Sequence, residues 1–335
     1  MVSDKNFKSY NQQMRKLRDK KKIECGGSKD KCILAKTGYF NLINGYKGPF
    51  TCGTDTNGDH IYLPNTRLDN IYSLKIFDDD LRLLLLKYIT KVEEEVRTLT
   101  GYKFDQCNND GKIPWFETSA YSEKKRMQDR MGVISSAYSE LSKSQLDYVK
   151  FYMDKHTSIP TWIMIKVVNF STFINILDNS KTEVIHSICK LYDITEPDGH
   201  YNVKLLIGSL NWFRKVRNAC AHNERIYCIN YSGAKGHNAG RIIERYFNLM
   251  KKTYSRVHEK RIMDLLIYMK YYLQDDEFKK MITEIQSMMV ELQSSISNNA
   301  FDNIRGQMGI KQMEDLEELK NFPKKPILYN KFDTY

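Results

Sequence analysis

Leu81-Arg82-Leu83-Leu84-Leu85-Leu86-Lys87-Tyr88-Ile89-Thr90-Lys91-Val92-Glu93-Glu94-Glu95-Val96-Arg97-Thr98-Leu99-Thr100 is the stretch that decides the fold class. Its apolar residues recur at Leu81, Leu84, Leu85, Tyr88, Ile89, Val92, Val96 and Leu99. Spacings of three and four place them on one face of an α-helix, whereas a strand would alternate in twos. The preceding triplet, Asp78-Asp79-Asp80, offers side chains that cap a helix start, and carboxylates favour the positive end of the helix dipole. The sequence therefore predicts a helix over Leu81–Thr100, a separate one over Leu68–Phe77, and a loop from Gly101 to Trp115.

Outward from this stretch the pattern stays helical. Residues 6–22 read as a basic helix ended by Cys25-Gly26-Gly27, and residues 29–46 as another that carries Tyr39, Phe40 and Tyr46. Between Pro49 and Pro64, Asn57-Gly58 marks a tight turn or small hairpin. A polar helix is expected over 122–142, and Pro160 suits the first turn of the next. The segment 162–177 is strongly apolar and expected to be central. Helices over 181–192 and 202–227 are separated by Glu196-Pro197-Asp198-Gly199. The glycine-rich run from Tyr231 to Gly240 lacks the Gly-Lys-Ser/Thr ending of a phosphate loop and reads as a connector. Two long helices over 241–297 and a charged tail follow. The expectation is an all-α helical bundle with at most a small β-hairpin near 50–64. It divides into a basic N-terminal region (1–66), a helical core (67–230) and a C-terminal helical extension (231–335).

At 335 residues, with 41% hydrophobic and 28% charged, the chain fits a globular protein with a sizeable core. No apolar run approaches the ~20 residues needed to span a bilayer. The N-terminus has no apolar signal core, so a cytoplasmic location away from membranes is the expectation. Seven cysteines, none in a Cys-x2-Cys pair, read as free thiols; neither metal nor other cofactor is expected. Net charge is +11, and residues 1–50 hold 12 Lys/Arg against four Asp/Glu, a net of +8. The densest part comprises Arg15, Lys16, Arg18, Lys20, Lys21 and Lys22. Two readings are open, a solvated helix face or a footprint for a polyanion. The clustering favours nucleic acid, because each phosphate neutralised releases counterions.

Val216-Arg217-Asn218-Ala219-Cys220-Ala221-His222-Asn223-Glu224-Arg225 carries the chemistry. Arg217 brings a permanent cationic fork suited to phosphate, and His222 a group that exchanges protons near neutral pH. Together they suit metal-free RNA cleavage, in which a ribose 2′-hydroxyl attacks its own phosphate. At 100° per residue, Asn211, Arg214, Asn218, His222 and Arg225 form one stripe, with Trp212, Phe213, Val216, Cys220 and Tyr227 opposite. Arg217 sits about 100° from the stripe's centre. Either it bends toward His222 or the partner chemistry comes from another subunit. Asn218 and His222, four apart, are spaced for an amide–imidazole hydrogen bond that would fix the ring tautomer. Glu93 and Arg97 are also four apart, which fits an ordinary intrahelical ion pair.

The chain resembles the Abi-like (abortive infection) proteins of phage defence, within the HEPN superfamily of helical RNases. Four blocks carry the resemblance. Residues 10–22, with Gln12, Gln13, Leu17 and the basic run, look like the family's opening helix. Gly38-Tyr39-Phe40-Asn41-Leu42-Ile43-Asn44-Gly45-Tyr46 is similar to its YYRL-x-GY segment, with Asn41 where the family has arginine. Asp78 to Leu85 with Val92 to Arg97 is similar to FD-x2-LR…IE-x3-R, and Arg217 to Arg225 to RN-x-CAH-x2-R. The resemblance spans roughly residues 7–230. It implies a HEPN-type bundle with Arg217 and His222 as the catalytic pair, positioned by Asn218. It further implies supporting roles for Glu93, Arg97 and Arg225. One motif per chain, in a superfamily that faces two motifs together, implies a homodimer. RNA is the implied partner, as substrate and, for some members, as a regulatory non-coding RNA; Arg214 joins the basic run as a candidate contact.

Three functions compete at this point. The first is a toxin-like, metal-independent endoribonuclease. The second is a non-catalytic RNA-binding protein on the same scaffold, for which the imidazole has no evident use. The third, a DNA-binding regulator, draws on net charge alone.

Overall fold

A computed structural model describes residues 7–196, 198–232 and 259–334. Helix α3 runs unbroken from Leu68 to Cys107, about 60 Å at 1.5 Å per residue. Its apolar face behaves as the spacing predicts: Leu81, Leu84, Leu85, Tyr88, Ile89, Val92 and Val96 are all buried. The expected break at Asp78-Asp79-Asp80 does not occur, and neither does the loop expected to begin at Gly101. Each of the first two carboxylates has a partner that makes a helical position tolerable. Asp78 is wholly buried and pairs with Arg82, while Asp79 pairs with Lys75 and Arg82. Tertiary contacts thus outweigh the poor helix propensity of aspartate.

Before α3 lie α1 (Tyr10–Lys21) and α2 (Gly27–Thr37). Gln12 of the opening block closes a capping box with Ser9. The chain then departs from the continuous helix expected over 29–46. Gly38 adopts φ +74°, open to glycine at no steric cost, and Phe40–Asn44 form a short π-helical turn. The expected hairpin is present, with Thr51–Thr54 paired antiparallel to His60–Tyr62. A second antiparallel pair, Tyr231–Ser232 with Glu259–Lys260, was not expected.

Around α3 pack α6 (Thr161–Val167), α8 (Thr182–Leu191), α9 (Val203–Ala221) and the C-terminal helix Asp275–Ser295. Helices α4 (Met127–Ser142), α5 (Asp147–Lys155) and α7 (Phe170–Asn179) complete the central part. The apolar stretch 162–177 is therefore two helices, broken at Val168–Asn169, and Asn169 caps the second by accepting from the Thr172 N–H. Not all of it is central: Trp162 is 59% exposed. C-terminal helices at Ile262–Tyr272, Asn298–Met308 and Glu314–Asn321 follow. The rest of the helical run expected from residue 241, together with the glycine-rich connector beyond Ser232, lies outside the described residues. Among the described residues no helix is long and apolar enough to cross a membrane.

Candidate functional site

Helix α9 brings the motif to the surface of the bundle. Trp212, Phe213, Val216 and Cys220 are buried, so the apolar side of the helix docks as the periodicity predicts. The helix ends six residues before expected, at Ala221, with His222 as its C-cap. Asn223 takes the left-handed conformation, φ +54°. The Asn223 N–H donates to the Cys220 carbonyl and the Glu224 N–H to the Ala219 carbonyl, closing a Schellman motif. Asparagine tolerates this backbone better than most residues, so a helix can stop here without glycine or proline. Arg225 and Tyr227 accordingly leave the stripes assigned to them and belong to the turn beyond.

That turn is anchored on α3. Asp78 Oδ1 accepts the Ile226 and Tyr227 N–H groups at 3.1 and 2.8 Å, and Oδ2 accepts from Tyr46 OH at 2.9 Å. Burial pushes the Asp78 carboxyl up, opposed by the Tyr227 N–H and the Arg82 guanidinium. Arg82 also reaches the Glu224 carbonyl at 3.2 Å, and Arg225 donates to the Gly45 carbonyl. Tyr46 and Tyr227 stack with centroids 6.0 Å apart. Residues of the aromatic segment, the acidic triplet and the motif thus meet in one buried knot.

Arg217 and His222 leave α9 in different directions. Arg217 lines a cleft of about 450 Å³ between α3 and α6, together with Glu93, Arg97, Tyr102, Trp162 and Lys166. Its Nε stands 3.8 Å from Glu93 Oε2, and its Nη1 donates to Asn218 Oδ1 at 3.2 Å. The Asn218 amide oxygen therefore serves Arg217, and among the described residues the exposed His222 imidazole has no hydrogen-bond partner. The expected Asn218–His222 side-chain bond is not formed.

Glu93 and Arg97 do form the intrahelical pair, at 2.7 and 3.0 Å, but they also do more. Glu93 bridges both arginines. Arg97, with its pKa lowered by burial, donates to the Ile165 and Val168 carbonyls at 2.6 and 2.9 Å and lies over the Phe173 ring. It thereby satisfies carbonyls left open at the end of α6. Gly101 of α3 faces Ile165 of α6, and a Cβ there would meet Ile165 Cγ2 at 3.4 Å, in van der Waals contact.

His222 opens instead on a wider cleft of about 1140 Å³, walled by the π-helical turn and α3. Lys36, Lys75, Lys215 and Arg225 line it, with Asp79 and Glu224 as counter-charges and Phe40 on its wall, 74% exposed. Sequence reasoning missed these lysines and the exposed aromatics of both clefts. Arg214 lines neither cleft. The basic run on α1 is also outside both. Arg15, Arg18, Lys20 and Lys22 are exposed there, while Lys16 and Lys21 are half-buried, each over a tyrosine ring. Among the described residues no cluster of three or more His, Cys, Asp or Glu is placed to hold a metal.

This is a helical protein whose one concentrated polar motif sits where α9 ends between two clefts. The Abi-like protein family matches residues 32–228, more than half of the chain, and the chain belongs to that family. Membership points toward abortive infection, a form of phage defence. No curated protein and no solved structure matches the chain.

Proposed function

We propose that this protein is a metal-independent endoribonuclease of phage defence on a HEPN-type scaffold. It acts as a homodimer in which Arg217 of one copy works with His222 of the other. The divergence of these two side chains onto separate clefts carries the reading, since one chain alone does not aim both at a single phosphate. A second copy can.

In the reaction the imidazole takes the 2′-hydroxyl proton, and the 2′-oxygen bonds to the adjacent phosphorus. The bond from phosphorus to the 5′-oxygen breaks, and that oxygen takes up a proton. A 2′,3′-cyclic phosphate and a 5′-hydroxyl result. The Arg217 guanidinium stabilises the charge that grows on the phosphoryl oxygens. Glu93 and Asn218 hold that guanidinium, and Arg97 fixes Glu93. The exposed cations of α1 bind RNA away from the reacting bond, as substrate or as a regulatory non-coding strand.

A second reading, a non-catalytic RNA-binding scaffold, is favoured by the lack, among the described residues, of a partner to set the His222 tautomer. Subunit mixing separates the two. Arg217→Ala and His222→Ala proteins, each inactive alone, regain cleavage when mixed, because one composite site per mixed dimer is intact. No recovery from variants that demonstrably exchange subunits contradicts the shared site. Full activity of His222→Ala alone contradicts the enzyme reading.

A further inference from the structure

Trp162 is the one tryptophan of three that faces solvent: Trp115 and Trp212 are 1% and 0% exposed, Trp162 59%. It stands on α6 four residues from the exposed Lys166, so the two share a helix face, and both line the Arg217 cleft. Tyr102, 50% exposed on α3, lines the same cleft. Among the described residues the Trp162 indole has neither a stacked ring nor a hydrogen-bond partner. The Tyr102 ring, by contrast, is tethered by its hydroxyl to Asp333 and lies 6.3 Å from Phe332. The Trp162 and Tyr102 rings, each at least half exposed, stand beside a half-exposed guanidinium, and the Trp162 indole shows its apolar face with no ring or hydrogen-bond partner among the described residues. They sit where a cavity of about 450 Å³ falls within the usual size range of small-molecule sites.

We propose that this cleft is a nucleobase subsite: the Trp162 and Tyr102 rings take one unpaired base, and Lys166 and Arg217 take its phosphate. This rests on the endoribonuclease reading and deepens it by naming the form of the substrate. A ring face is available only when a base has left the duplex stack, so the subsite selects single-stranded RNA. The position of the pocket is set by the Glu93–Arg97 pair, since Arg97 holds the carbonyls at the end of α6 and so the helix that carries Trp162 and Lys166. Glu94, also on the cleft and exposed, repels phosphate and accepts from an exocyclic amino group of a base.

The test uses the full-length protein and tryptophan fluorescence, which in this chain reports a solvent-facing indole only at Trp162. A fully 2′-O-methylated oligonucleotide is titrated in, single-stranded and as a duplex; it cannot undergo 2′-hydroxyl attack, so binding is read apart from cleavage. The single strand quenches the fluorescence and the duplex does not. Trp162→Ala, a change at an exposed position, weakens single-strand affinity by about 5- to 150-fold, the range for loss of one stacked base, measured by anisotropy of a labelled strand. Tyr102→Ala weakens it in the same direction. Quenching that persists in an inactive His222→Ala protein supports the subsite independently of catalysis. No single-strand binding, binding without quenching, equal response to duplex, or unchanged affinity in Trp162→Ala overturns it. If RNA is cleaved normally while any of these holds, the subsite falls and the endoribonuclease reading stands. If the quench is specific but no RNA is cut, the reverse follows.

Discussion

The buried Asp78 carboxylate, inside α3, accepts the backbone N–H of Tyr227 at 2.8 Å, in the turn that follows the motif helix. This fixes where the chain goes after His222 and so where Arg225 and the wall of the wide cleft lie. Removing the carboxylate strands two backbone N–H groups, the Tyr46 hydroxyl and part of Arg82. Asp78→Ala is expected to cost about 3 to 5 kcal/mol in urea unfolding, the range for breaking a buried ion pair. Asp78→Asn, which keeps one acceptor oxygen, costs less. A loss for the alanine variant below about 1 kcal/mol, the size of an average substitution, contradicts the anchoring role.

Glu93 stands between Arg97 and Arg217. Glu93→Gln keeps the side-chain volume but removes the charge that holds Arg217 at the cleft. The expected result is a folded protein whose cleavage rate falls by about 10- to 100-fold, the scale of a slightly misplaced reacting group. Circular dichroism and turnover measured on the same preparation check this. An unchanged rate means that Arg217 does not depend on Glu93.

Much of this fold was readable from local pattern. The apolar face of α3, the docked side of α9 and the hairpin at residues 51–62 follow from spacing and turn chemistry alone. Asp78-Asp79-Asp80 misled because a helix start and a helix interior look the same locally. Partners distant in sequence, the Tyr46 hydroxyl and the backbone of Ile226 and Tyr227 nearly 150 residues away, join Arg82 in making the buried position favourable. The end of α9 was hidden for a similar reason, since Asn223 in a left-handed turn leaves no glycine or proline to see. At the site, the offset of Arg217 from the stripe that holds Asn218 and His222 was legible and left two outcomes open, but the turn of Arg217 toward its own cleft was not. It depends on Glu93, which sequence spacing pairs only with Arg97. Trp162 read as core because its neighbours Ile163, Met164 and Ile165 are; the lone outward face shows only once α6 is placed against α3.

The basic run has a sharper expectation now that its side chains are placed. Lys20 and Lys22 are exposed, whereas Lys21 lies over the Tyr62 ring and burial lowers its pKa. Replacing Lys20 and Lys22 with Gln should weaken RNA binding and flatten its salt dependence. On a single strand, the slope of log affinity against log salt should shrink by about 0.7 for each phosphate no longer neutralised. The cleavage rate at saturating RNA should hold, because these lysines line neither cleft. An unchanged salt slope makes the run a solvated face.

Burial pushes the Cys189 thiol up to about 12 from an ordinary value near 9. With the folded pKa raised, the unfolded chain loses its proton first as pH climbs past 9. The stabilisation is therefore complete below pH 9 and is lost between pH 9 and 12. Cys189→Ala removes this dependence, so the stability gap between wild type and variant should narrow from pH 8 to pH 11. Chemical denaturation under reducing conditions at several pH values measures it. A gap that stays constant means the thiol does not ionise differently in the two states.

The most direct measurement is cleavage of single-stranded RNA by the wild-type protein in excess EDTA, with the ends of the products identified. Alongside it run a matched strand carrying 2′-deoxyribose at the cut position and the His222→Ala protein. The expected result is cutting in EDTA, products ending in 2′,3′-cyclic phosphate and 5′-hydroxyl, and no cutting at the deoxy position. His222→Ala should lose ~100- to 10,000-fold in rate, the typical worth of a positioned acid or base. Activity abolished by EDTA, equal cutting of the deoxy strand, or an undiminished His222→Ala rate would contradict this mechanism.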